Sequence, residues 1–464
     1  MIELNIKDVL AATGGRAYLG LNPVDIDNVD VRFANVGIKS ITLDSRKAED
    51  GSLFIAIAGE RSDGHYYIPA IADRIAAAVV ERLTDTPVLQ ILVPSTYAAV
   101  GAIGAYIRTK SGVKVVGVTG SVGKTSVKEL TAGVLSQRYN VLKTEGNFNN
   151  ELGLPQTLFR LEPGHEVAVL EMGISHFGEM SRLSAIARPD YAIFTNIENV
   201  HTENLIDRDG VLRAKTELVA NMCGDLLILN GEDDKLSGYN LPNGKHAVYY
   251  GCTDRCSVTA DDIVFSGIDY TTFTLKCEKG QTDIELPAAG RHMVLDALAA
   301  AACGLAFGLE LDAIKQGLES YVPVGSRMRK LNRDGAVILD DCYNASPKSV
   351  EAGLKVLCSG SGRSIAVLGD MLELGENSKA LHEHIGRLAA ELGLDMLITV
   401  GNEAQYIANA AESCGLRSVY HTDIEGAAEL LKRNIKSGDT VLIKASRGMA
   451  LERVIALLMK EEDN

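Results

Sequence analysis

The segment from Thr119 to Ser126, which reads TGSVGKTS, contains residue types that bind phosphate groups in nucleotide-binding proteins. Its Gly123-Lys124-Thr125 matches the end of the pattern G-x-x-x-x-G-K-[ST], although Val118 stands where that pattern begins. An apolar, β-rich run precedes the loop and a helical pattern follows it, so backbone N–H groups would converge on phosphates. We predict a phosphate-binding loop in which Lys124 contacts the terminal phosphates and Thr125 a Mg²⁺ ion. The alternative is a tight turn that contains these residues by chance.

Two further candidate metal ligands each follow a predicted buried strand. Glu171 ends the run VAVLE, and His201 lies in the loop NIENVH after the run YAIFT. Because the carboxyl ends of parallel strands line the ligand crevice of an open sheet, both side chains are expected near the phosphate loop. We predict Glu171 as a Mg²⁺ ligand, whereas metal ligation and a structural role are equally open for His201.

Lys215 occupies an unusual position on a predicted helix. In GVLRAKTELVANM the apolar residues form one stripe from Val211 to Met222, and Lys215 falls in the middle of it. A lysine is rarely found there unless it snorkels, pairs or reacts. A buried amine beside Mg²⁺ would lose its proton and could take up carbon dioxide, giving an anionic carbamate that ligates the metal. The alternative is an ordinary lysine paired with a carboxylate, either of the protein or of the substrate.

Composition excludes several classes of protein. With 46 basic and 61 acidic residues in 464, the net charge of −15 argues against a nucleic-acid or anionic-membrane surface. The eight cysteines lack paired spacing and are expected to be reduced thiols. The chain starts without a secretory signal, and its uncharged stretch 87–107 is broken by Pro94-Ser95-Thr96. We therefore expect a cytoplasmic protein that does not insert into membranes.

Short apolar runs alternate with helical patterns along most of the chain, which is typical of α/β layering. Three blocks are expected, covering residues 1–93, 94–322 and 323–464, with a hinge at Pro323–Gly325. Strands outside the middle block are predicted at Ile38–Leu43, Leu53–Ala58, Ala336–Leu339, Ser364–Leu368, Met396–Val400 and Thr440–Ile443.

Several motifs together resemble the Mur ligase family, whose phosphate loop carries its glycines in the shifted pattern found at Gly117 and Gly120. In chain order the motifs are ITLDSRK, TGSVGKTS, TEGNFNNELGLP, LEMGISHFGEM, NIENVHTENL, AKTEL, DDCYNASP, VLGDMLELGE and KASRGMALE. The resemblance covers nearly the whole chain. It implies an α/β protein with a uridine-binding domain at 1–93, a central phosphate-loop ATPase domain with a parallel sheet at 94–322, and a Rossmann-like domain at 323–464 that binds the dipeptide and closes over ATP.

The resemblance also implies an activity. The motifs are most similar to those of the family member that adds D-alanyl-D-alanine to UDP-N-acetylmuramoyl-tripeptide in peptidoglycan precursor synthesis, by way of an acyl phosphate. ATP, two Mg²⁺ ions, small-molecule substrates and a monomer are expected. One alternative is the ligase that adds the third amino acid, lysine or diaminopimelate, but the D-N-P-R-type motif expected of it is absent. A second is a non-ligating nucleotide switch, which would need a base-reading [NT]-K-x-D motif that is also absent.

The family's site residues are carried over to the matching positions. Lys124, Glu171, His201 and Lys215 are expected to be catalytic, and Thr125, Glu171, His201 and Lys215 to hold the metal. ATP is expected to contact Thr119, Gly120, Ser121, Val122, Gly123, Lys124, Thr125, Ser126, His292, Asp296, Arg327 and Asp341. The other substrates are expected to contact Ser45, Arg46, Asn147, Asn149, Tyr343 and Asn344.

The chain departs from the family's adenine-side segment, which usually carries two asparagines. Here the segment reads GRHMVLDA, with Met293 and Asp296 at those positions. An ionised Asp296 could accept a hydrogen bond from the adenine amino group but, unlike an amide, could not also donate one.

Overall fold

A computed structural model describes residues 1–25, 36–59, 62–200 and 202–460. The strands are β1 (Leu4–Asn5), β2 (Arg16–Leu19), β3 (Asn22–Pro23), β4 (Gly37–Ile38), β5 (Ser40–Thr42), β6 (Ser52–Ile55), β7 (Ile75–Val80), β8 (Leu89–Leu92), β9 (Lys114–Thr119), β10 (Val141–Lys143), β11 (Val167–Glu171), β12 (Tyr191–Phe194), β13 (Leu226–Asn230), β14 (His246–Tyr250), β15 (Thr259–Ser266), β16 (Tyr270–Cys277), β17 (Gly280–Leu286), β18 (Arg329–Arg333), β19 (Ala336–Asp340), β20 (Ser364–Gly369), β21 (Met396–Val400), β22 (Val419–Thr422) and β23 (Thr440–Lys444).

The α-helices of the described residues are α1 (Ile6–Thr13), α2 (Ile68–Ile71), α3 (Thr96–Ser111), α4 (Lys124–Leu135), α5 (Gly153–Leu158), α6 (Glu179–Ala187), α7 (Thr202–Leu205), α8 (Arg208–Thr216), α9 (Asp234–Ser237), α10 (Arg291–Ala306), α11 (Leu311–Glu319), α12 (Pro347–Leu357), α13 (Ser378–Glu391), α14 (Ala404–Ser413), α15 (Ile424–Asn434) and α16 (Glu452–Met459). None of the helices in these ranges is long and apolar enough to cross a membrane.

Each of the three large sheets is built from a separate stretch of the chain. The first sheet has the order β3-β2-β8-β7-β6-β5, with β5 to β8 parallel and β2 and β3 antiparallel. Helix α3 follows it and begins at the Ser95 N-cap, whose side chain accepts a hydrogen bond from the N–H of Ala98. The uncharged stretch 87–107 is thus a buried strand followed by a helix, as its proline and serine predicted.

The central sheet explains where a ligand can bind. Its order is β10-β11-β9-β12-β13-β14, and all neighbours are parallel. The connections leave β9 toward β10 and β11 on one side and toward β12 on the other, so the strand order reverses at β9. In open parallel sheets the ligand crevice lies outside the carboxyl ends of the strands at such a reversal. The phosphate loop predicted from the sequence begins at that end of β9.

The last sheet, β18-β19-β23-β20-β21-β22, is parallel except for the antiparallel edge strand β18. It packs between helices on both faces, as the two apolar clusters on its opposite sides show. The fold class expected from the sequence, α/β with parallel sheets and a Rossmann-like C-terminal unit, is confirmed.

An antiparallel sheet, β15-β16-β17, lies between the central and last sheets in the chain. Its β15–β16 turn contacts the last unit. The Ser359 hydroxyl donates to the carbonyl of Gly267 at 3.0 Å, and Lys330 pairs with Asp269 at 2.8 Å. The C-terminal unit is therefore held by this turn as well as by the connecting chain around residue 323.

The strand predictions were accurate in the last unit and less so in the first. Strands β19, β20, β21 and β23 fall within one residue of the predicted ends. The single strand expected at Ile38–Leu43 was wrong, because the chain forms β4 and β5 there and they belong to different sheets. The helix expected to run through Val211–Met222 also differs, since α8 ends at Thr216 and continues as a 3₁₀ helix, Glu217–Asn221.

Candidate active site

A cleft of about 1330 Å³ lies between the carboxyl end of the central sheet and the C-terminal unit. Most of the residues expected to contact ATP line it. They are Ser121, Val122, Gly123, Lys124, Thr125, Ser126, His292, Asp296, Arg327 and Asp341. Asn149, Glu171, Tyr343 and Asn344 also line the cleft. The fold thus brings together residues that are more than 200 positions apart in the sequence.

The phosphate loop joins β9 to α4, and two glycines shape it. Gly120 and Gly123 have φ angles of +148° and +85°, which side chains disfavour. A Cβ atom on Gly120 would lie 1.9 Å from Oγ1 of Thr195. The loop is tied to the segment after β12, since the N–H of Val122 donates to Asn196 Oδ1 at 2.9 Å. Its shape is therefore fixed by packing rather than by the glycines alone.

Lys124, the first residue of α4, folds back over this loop. Its Nζ donates to the carbonyl oxygens of Gly120 and Ser121 at 2.9 and 3.1 Å. Burial lowers the pKa of Lys124 and Arg327 adds to that lowering, while Glu171 acts in the opposite direction. The ammonium is thus placed at the mouth of the loop, where it can reach the terminal phosphates of a nucleotide.

Thr125 and Glu171 meet beside the loop. Thr125 Oγ1 donates to Glu171 Oε2 at 2.8 Å, and the Asn149 amide donates to Glu171 Oε1 at 2.9 Å. Glu171 is 2% exposed and ends β11, as expected from the sequence. Two hard oxygen atoms are therefore held together beside the phosphate loop.

This pair fits the coordination chemistry of Mg²⁺. Among residues 1–25, 36–59, 62–200 and 202–460, no three His, Cys, Asp or Glu side chains are grouped so as to hold a metal ion. Mg²⁺ is usually bound by one or two carboxylates, substrate phosphates and waters rather than by an all-protein cage. A hydroxyl and a carboxylate beside a phosphate loop are consistent with that arrangement. His201 lies outside the described residues.

Lys215 is 1% exposed and lies on α8, in the middle of the apolar stripe predicted for it. Within the described part of the chain its Nζ has no hydrogen-bond or ion-pair partner, so a protein carboxylate does not pair with it there, and pairing with a substrate carboxylate stays a prediction. Burial lowers the pKa of Lys215 well below its usual value, and the charge of Lys124 lowers it further. Burial therefore favours the neutral amine form of this side chain, which is the form that can act as a nucleophile.

The C-terminal unit contributes the opposite wall of the cleft. The Arg327 guanidinium stacks 3.6 Å from the ring centroid of Tyr343. Asp341 is paired with Lys444 at 2.6 Å, and Lys444 also donates to the carbonyl of Asn344. Burial raises the pKa of Asp341, while Lys444 opposes that effect. Lys444 is thus a cleft residue to which no role was assigned from the sequence, although it begins the motif KASRGMALE.

Helix α10 brings two titratable side chains to the cleft. Burial, with a contribution from Lys444, lowers the pKa of His292 to about 4. Burial raises the pKa of Asp296 well above its usual value. His292 is therefore expected to be neutral near neutral pH.

Several expected site residues do not line this cleft. Thr119 is fully buried beneath the loop, where its hydroxyl donates to the carbonyl of Met172. Asn147 is exposed on the loop before α5. Ser45 and Arg46 lie on a short 3₁₀ helix of the first unit, where Arg46 is paired with Asp44. Gly120 and Lys215 are also not among the residues that line the cleft.

A supporting network behind Glu171 was not predicted from the sequence. The backbone N–H of Glu171 donates to Thr144 Oγ1 at 3.0 Å, and Lys128 Nζ donates to the carbonyl of Thr144 at 2.7 Å. Lys128 also pairs with Glu129 at 2.6 Å. Lys128 falls four residues after Lys124 and beside Val127 on the apolar stripe of α4. A lysine at such a position indicates a buried ammonium that needs polar partners.

Comparison with known proteins places these features in a family. The model of the Mur ligase middle domain matches residues 118–304, and that of the Mur ligase, glutamate ligase domain matches residues 326–447. The chain belongs to the Mur ligase family. It is 35% identical to the UDP-N-acetylmuramoyl-tripeptide–D-alanyl-D-alanine ligase of Escherichia coli K12, over 94% of this chain and 97% of that protein. The enzyme of the same name from Bacillus subtilis 168 is also 35% identical, over 92% and 95%.

Solved structures agree with this assignment. A crystal structure of MurF from Acinetobacter baumannii superimposes with a TM-score of 0.88 at 32% identity and covers 99% of both chains. MurF ligase from Thermotoga maritima, crystallised in complex with ADP, has a TM-score of 0.81 at 29% identity and covers 90% of this chain and 96% of that one. The three-domain Mur ligase architecture expected from the sequence is therefore confirmed.

Proposed function

We propose that this protein is an ATP-dependent ligase that joins D-alanyl-D-alanine to UDP-N-acetylmuramoyl-tripeptide in peptidoglycan precursor synthesis. The observation that carries the proposal is the cleft, where the phosphate loop and the Thr125–Glu171 pair face Arg327, Tyr343 and Lys444 of the C-terminal unit. The names of relatives that align over nearly the whole chain support the choice of substrates. Eight free cysteines agree with a cytoplasmic setting, and we expect a monomer.

The chemistry requires activation of a carboxylate. The γ-phosphoryl group of ATP is transferred to the terminal carboxylate of the tripeptide, which gives ADP and an acyl phosphate. The amine of D-alanyl-D-alanine then attacks the acyl carbon, phosphate leaves, and the nitrogen loses a proton. Because acyl phosphates hydrolyse in water, the cleft must exclude solvent during these steps. Its two-sided construction from the central and C-terminal units suits that requirement.

The protein's own groups have distinct roles in this scheme. Lys124 balances the charge that develops on the transferred phosphoryl group. Thr125 and Glu171 would hold one Mg²⁺ ion, and His201 and a carbamate on Lys215 a second. Bound Mg²⁺ would supply positive charge to the phosphate oxygens. The neutral Lys215 amine would attack carbon dioxide and lose a proton, so that a neutral group is replaced by an anion with two oxygen ligands.

The remaining residues would bind the ends of the substrates. His292, Asp296, Arg327 and Asp341 would surround ATP, and Tyr343 and Asn344 would face the dipeptide. Ser45 and Arg46 would hold the uridine diphosphate, with Asn147 and Asn149 near the sugar nucleotide. We place the domain boundaries at 93/94 and 322/323, which is supported by the separation of the three large sheets along the chain.

The proposal is tested by supplying ATP, D-alanyl-D-alanine and UDP-N-acetylmuramoyl-tripeptide ending in either lysine or diaminopimelate. ADP release and product mass are then measured. We expect ADP release to require both peptide substrates, and the product to have the mass of the two joined with loss of water. Turnover with UDP-N-acetylmuramoyl-dipeptide and free lysine or diaminopimelate would instead identify the ligase that adds the third amino acid. A rate of nucleotide hydrolysis that is independent of both peptide substrates would identify a non-ligating switch.

A further inference from the structure

Glu198 lies where the phosphate loop meets the C-terminal unit. It belongs to the segment after β12, is partly buried and lines the cleft. Its backbone N–H donates to the Ser121 hydroxyl at 2.9 Å, and that hydroxyl donates to the Glu198 carbonyl at 3.4 Å. On the opposite wall, the exposed Lys348 of α12 also lines the cleft. The backbone of Glu198 is therefore fixed to the phosphate loop, and its side chain belongs to the cleft between the two units.

The carboxyl group of Glu198 is not committed to another protein group. Within the described ranges it makes no hydrogen bond or ion pair. Six other carboxylates that line the cleft each accept a hydrogen bond or pair with a basic side chain. They are Glu151, Glu171, Glu179, Glu232, Asp233 and Asp341. Asp296 borders Gly123, on the side of the cleft proposed for ATP. Glu198 is therefore a carboxylate that a substrate can use.

The charged groups that face Glu198 come from three elements. They are Lys348 of α12, Arg208 of α8, and Asp233 and Asp234 at the start of α9. Arg208 is itself paired with Asp234 at 2.5 Å. Burial raises the pKa of Glu198, the two basic side chains oppose that effect, and the two aspartates add to it. A raised pKa brings a carboxylate closer to the range in which it can take up a proton near neutral pH.

One step of the proposed ligation requires such a group. The α-amino group of a dipeptide has an ordinary pKa of about 7.7–8.0, so it is mostly an ammonium at neutral pH. An ammonium nitrogen has no lone pair with which to attack the acyl carbon. In the proposed function the acyl phosphate forms beside Lys124, and the dipeptide lies against Tyr343 and Asn344 of the C-terminal unit. Glu198 lies between these two positions, where the amine must arrive.

We propose that Glu198 is the general base of the ligation, and that its carboxylate binds the ammonium group of the incoming dipeptide and removes one proton. This inference rests on the proposed function. The lone pair left on the nitrogen forms the bond to the acyl carbon, and the bond from that carbon to the phosphate oxygen breaks. The second proton lost by the nitrogen passes to the leaving phosphate, which departs as hydrogen phosphate. Glu198 gives its own proton to solvent after the product has left.

The test measures the two half-reactions of the full chain separately. Glu198→Gln keeps the shape of the side chain but cannot take up a proton. Positional exchange of oxygen-18 within ATP, with the tripeptide substrate present and the dipeptide absent, reports formation of the acyl phosphate. The kcat/KM for D-alanyl-D-alanine, measured from about pH 6 to about pH 9, reports the attack of the amine. Glu278→Gln removes an exposed carboxylate from the turn between β16 and β17 and is the matched control.

We expect Glu198→Gln to exchange oxygen-18 like the wild type, while its kcat/KM for the dipeptide falls by about 10²-fold or more at neutral pH. Only the neutral amine can react in this variant, so its kcat/KM should rise by about 10-fold per pH unit up to about pH 8. The wild-type value should level off at lower pH, and the two should approach each other above the pKa of the amine. Glu278→Gln should follow the wild type throughout.

Lys348→Met provides an independent check. Removing this positive charge should raise the pKa of Glu198 and move the low-pH inflection of the wild-type profile to higher pH. Parallel pH profiles for the wild type and Glu198→Gln, or an inflection that does not move in Lys348→Met, would overturn the inference. Loss of oxygen-18 exchange in Glu198→Gln would also overturn it, because Glu198 would then act before the amine arrives. The proposed ligation is judged separately, by the product mass obtained with the wild type.

Discussion

Two lysines beside the cleft are equally buried but differ in their partners. Lys128 on α4 and Lys215 on α8 are each 1% exposed. Lys128 donates to the carbonyl of Thr144 and pairs with Glu129, which in turn contacts Lys143. Lys215 has no such partner in the described residues. Lys128 is thus held by protein partners, whereas burial lowers the pKa of Lys215 and no partner in the described residues offsets that effect.

The difference shows that burial alone does not identify a reactive residue. Removing a charge from water is unfavourable for both side chains, and hydrogen bonds offset that cost only for Lys128. Lys128 supports Thr144 and, through it, the backbone of Glu171. Lys215 instead has its basic nitrogen free for covalent chemistry. The distinguishing feature is the number of partners.

The largest losses of ligation rate should come from Lys124→Ala and Glu171→Ala. The effects of substituting the two buried lysines, Lys128 and Lys215, are compared with these losses. Each removes a charged group at the phosphate site and should lower the ligation rate by about 10²-fold or more. The measurement is ADP release with all substrates present, with circular dichroism to verify folding. Near-normal turnover by either folded variant would refute their assignment.

Lys215→Ala should also lose most activity, about 10²-fold, because the proposed carbamate ligand is removed. Acetate or another small carboxylic acid should restore part of the rate. Carbon-13 NMR with labelled carbon dioxide should show a carbamate signal in the wild type that is missing from Lys215→Ala. If the signal persists in Lys215→Ala, or never appears in the wild type, the two lysines do not differ in the way proposed.

Lys128→Met should affect stability more than catalysis. It leaves the Thr144 carbonyl without its donor and Glu129 with Lys143 alone, so the free energy of unfolding should fall by about 1–3 kcal/mol. The urea midpoint reports this change. We expect the rate at saturating substrate to fall by less than about 10-fold and the carbamate signal to remain. A loss of activity as large as that of Lys215→Ala, without loss of stability, would contradict the comparison.

His292 is a third basic side chain at the cleft, and its substitution should have the smallest effect, which is on the pH dependence of stability. Its pKa is about 4 in the folded protein and 6.5 for an ordinary histidine. Between these pH values the unfolded chain binds more protons than the folded protein. The contribution of His292 to the free energy of unfolding is therefore complete above pH 6.5 and decreases as pH falls toward 4. We expect about 1–2 kcal/mol, reduced because the ring is partly open to the cleft. His292→Gln should flatten the urea-midpoint profile over that range, and an unchanged slope would argue against a buried neutral imidazole.

The phosphate loop, Glu171 and Lys215 could be predicted from the sequence because their signals are local. A strand, a glycine loop and a helix follow one another within the segment 114–135, and the position of Lys215 is defined by helical spacing. The same periodicity did not reveal where α8 turns into a 3₁₀ helix, since both forms keep Leu218 buried.

The partners of these residues could not be predicted, because they come from distant parts of the chain. Asn149 and Glu171 are 22 residues apart, and Lys444 and Asp341 are 103 apart. No pattern in one sequence specifies which polar groups meet across a cleft.

The turn between β15 and β16 has a mechanical consequence for the C-terminal unit. A domain that is connected to its neighbour by a single flexible linker can rotate about several axes. Here Gly267 and Asp269 provide a second attachment, through Ser359 and Lys330, apart from the chain link at Pro323–Gly325. A movement of the C-terminal unit that preserves both attachments is a rotation about the axis that passes through them. The cleft would then open and shut along one path, and Arg327 and Lys444 would return to the same positions each time.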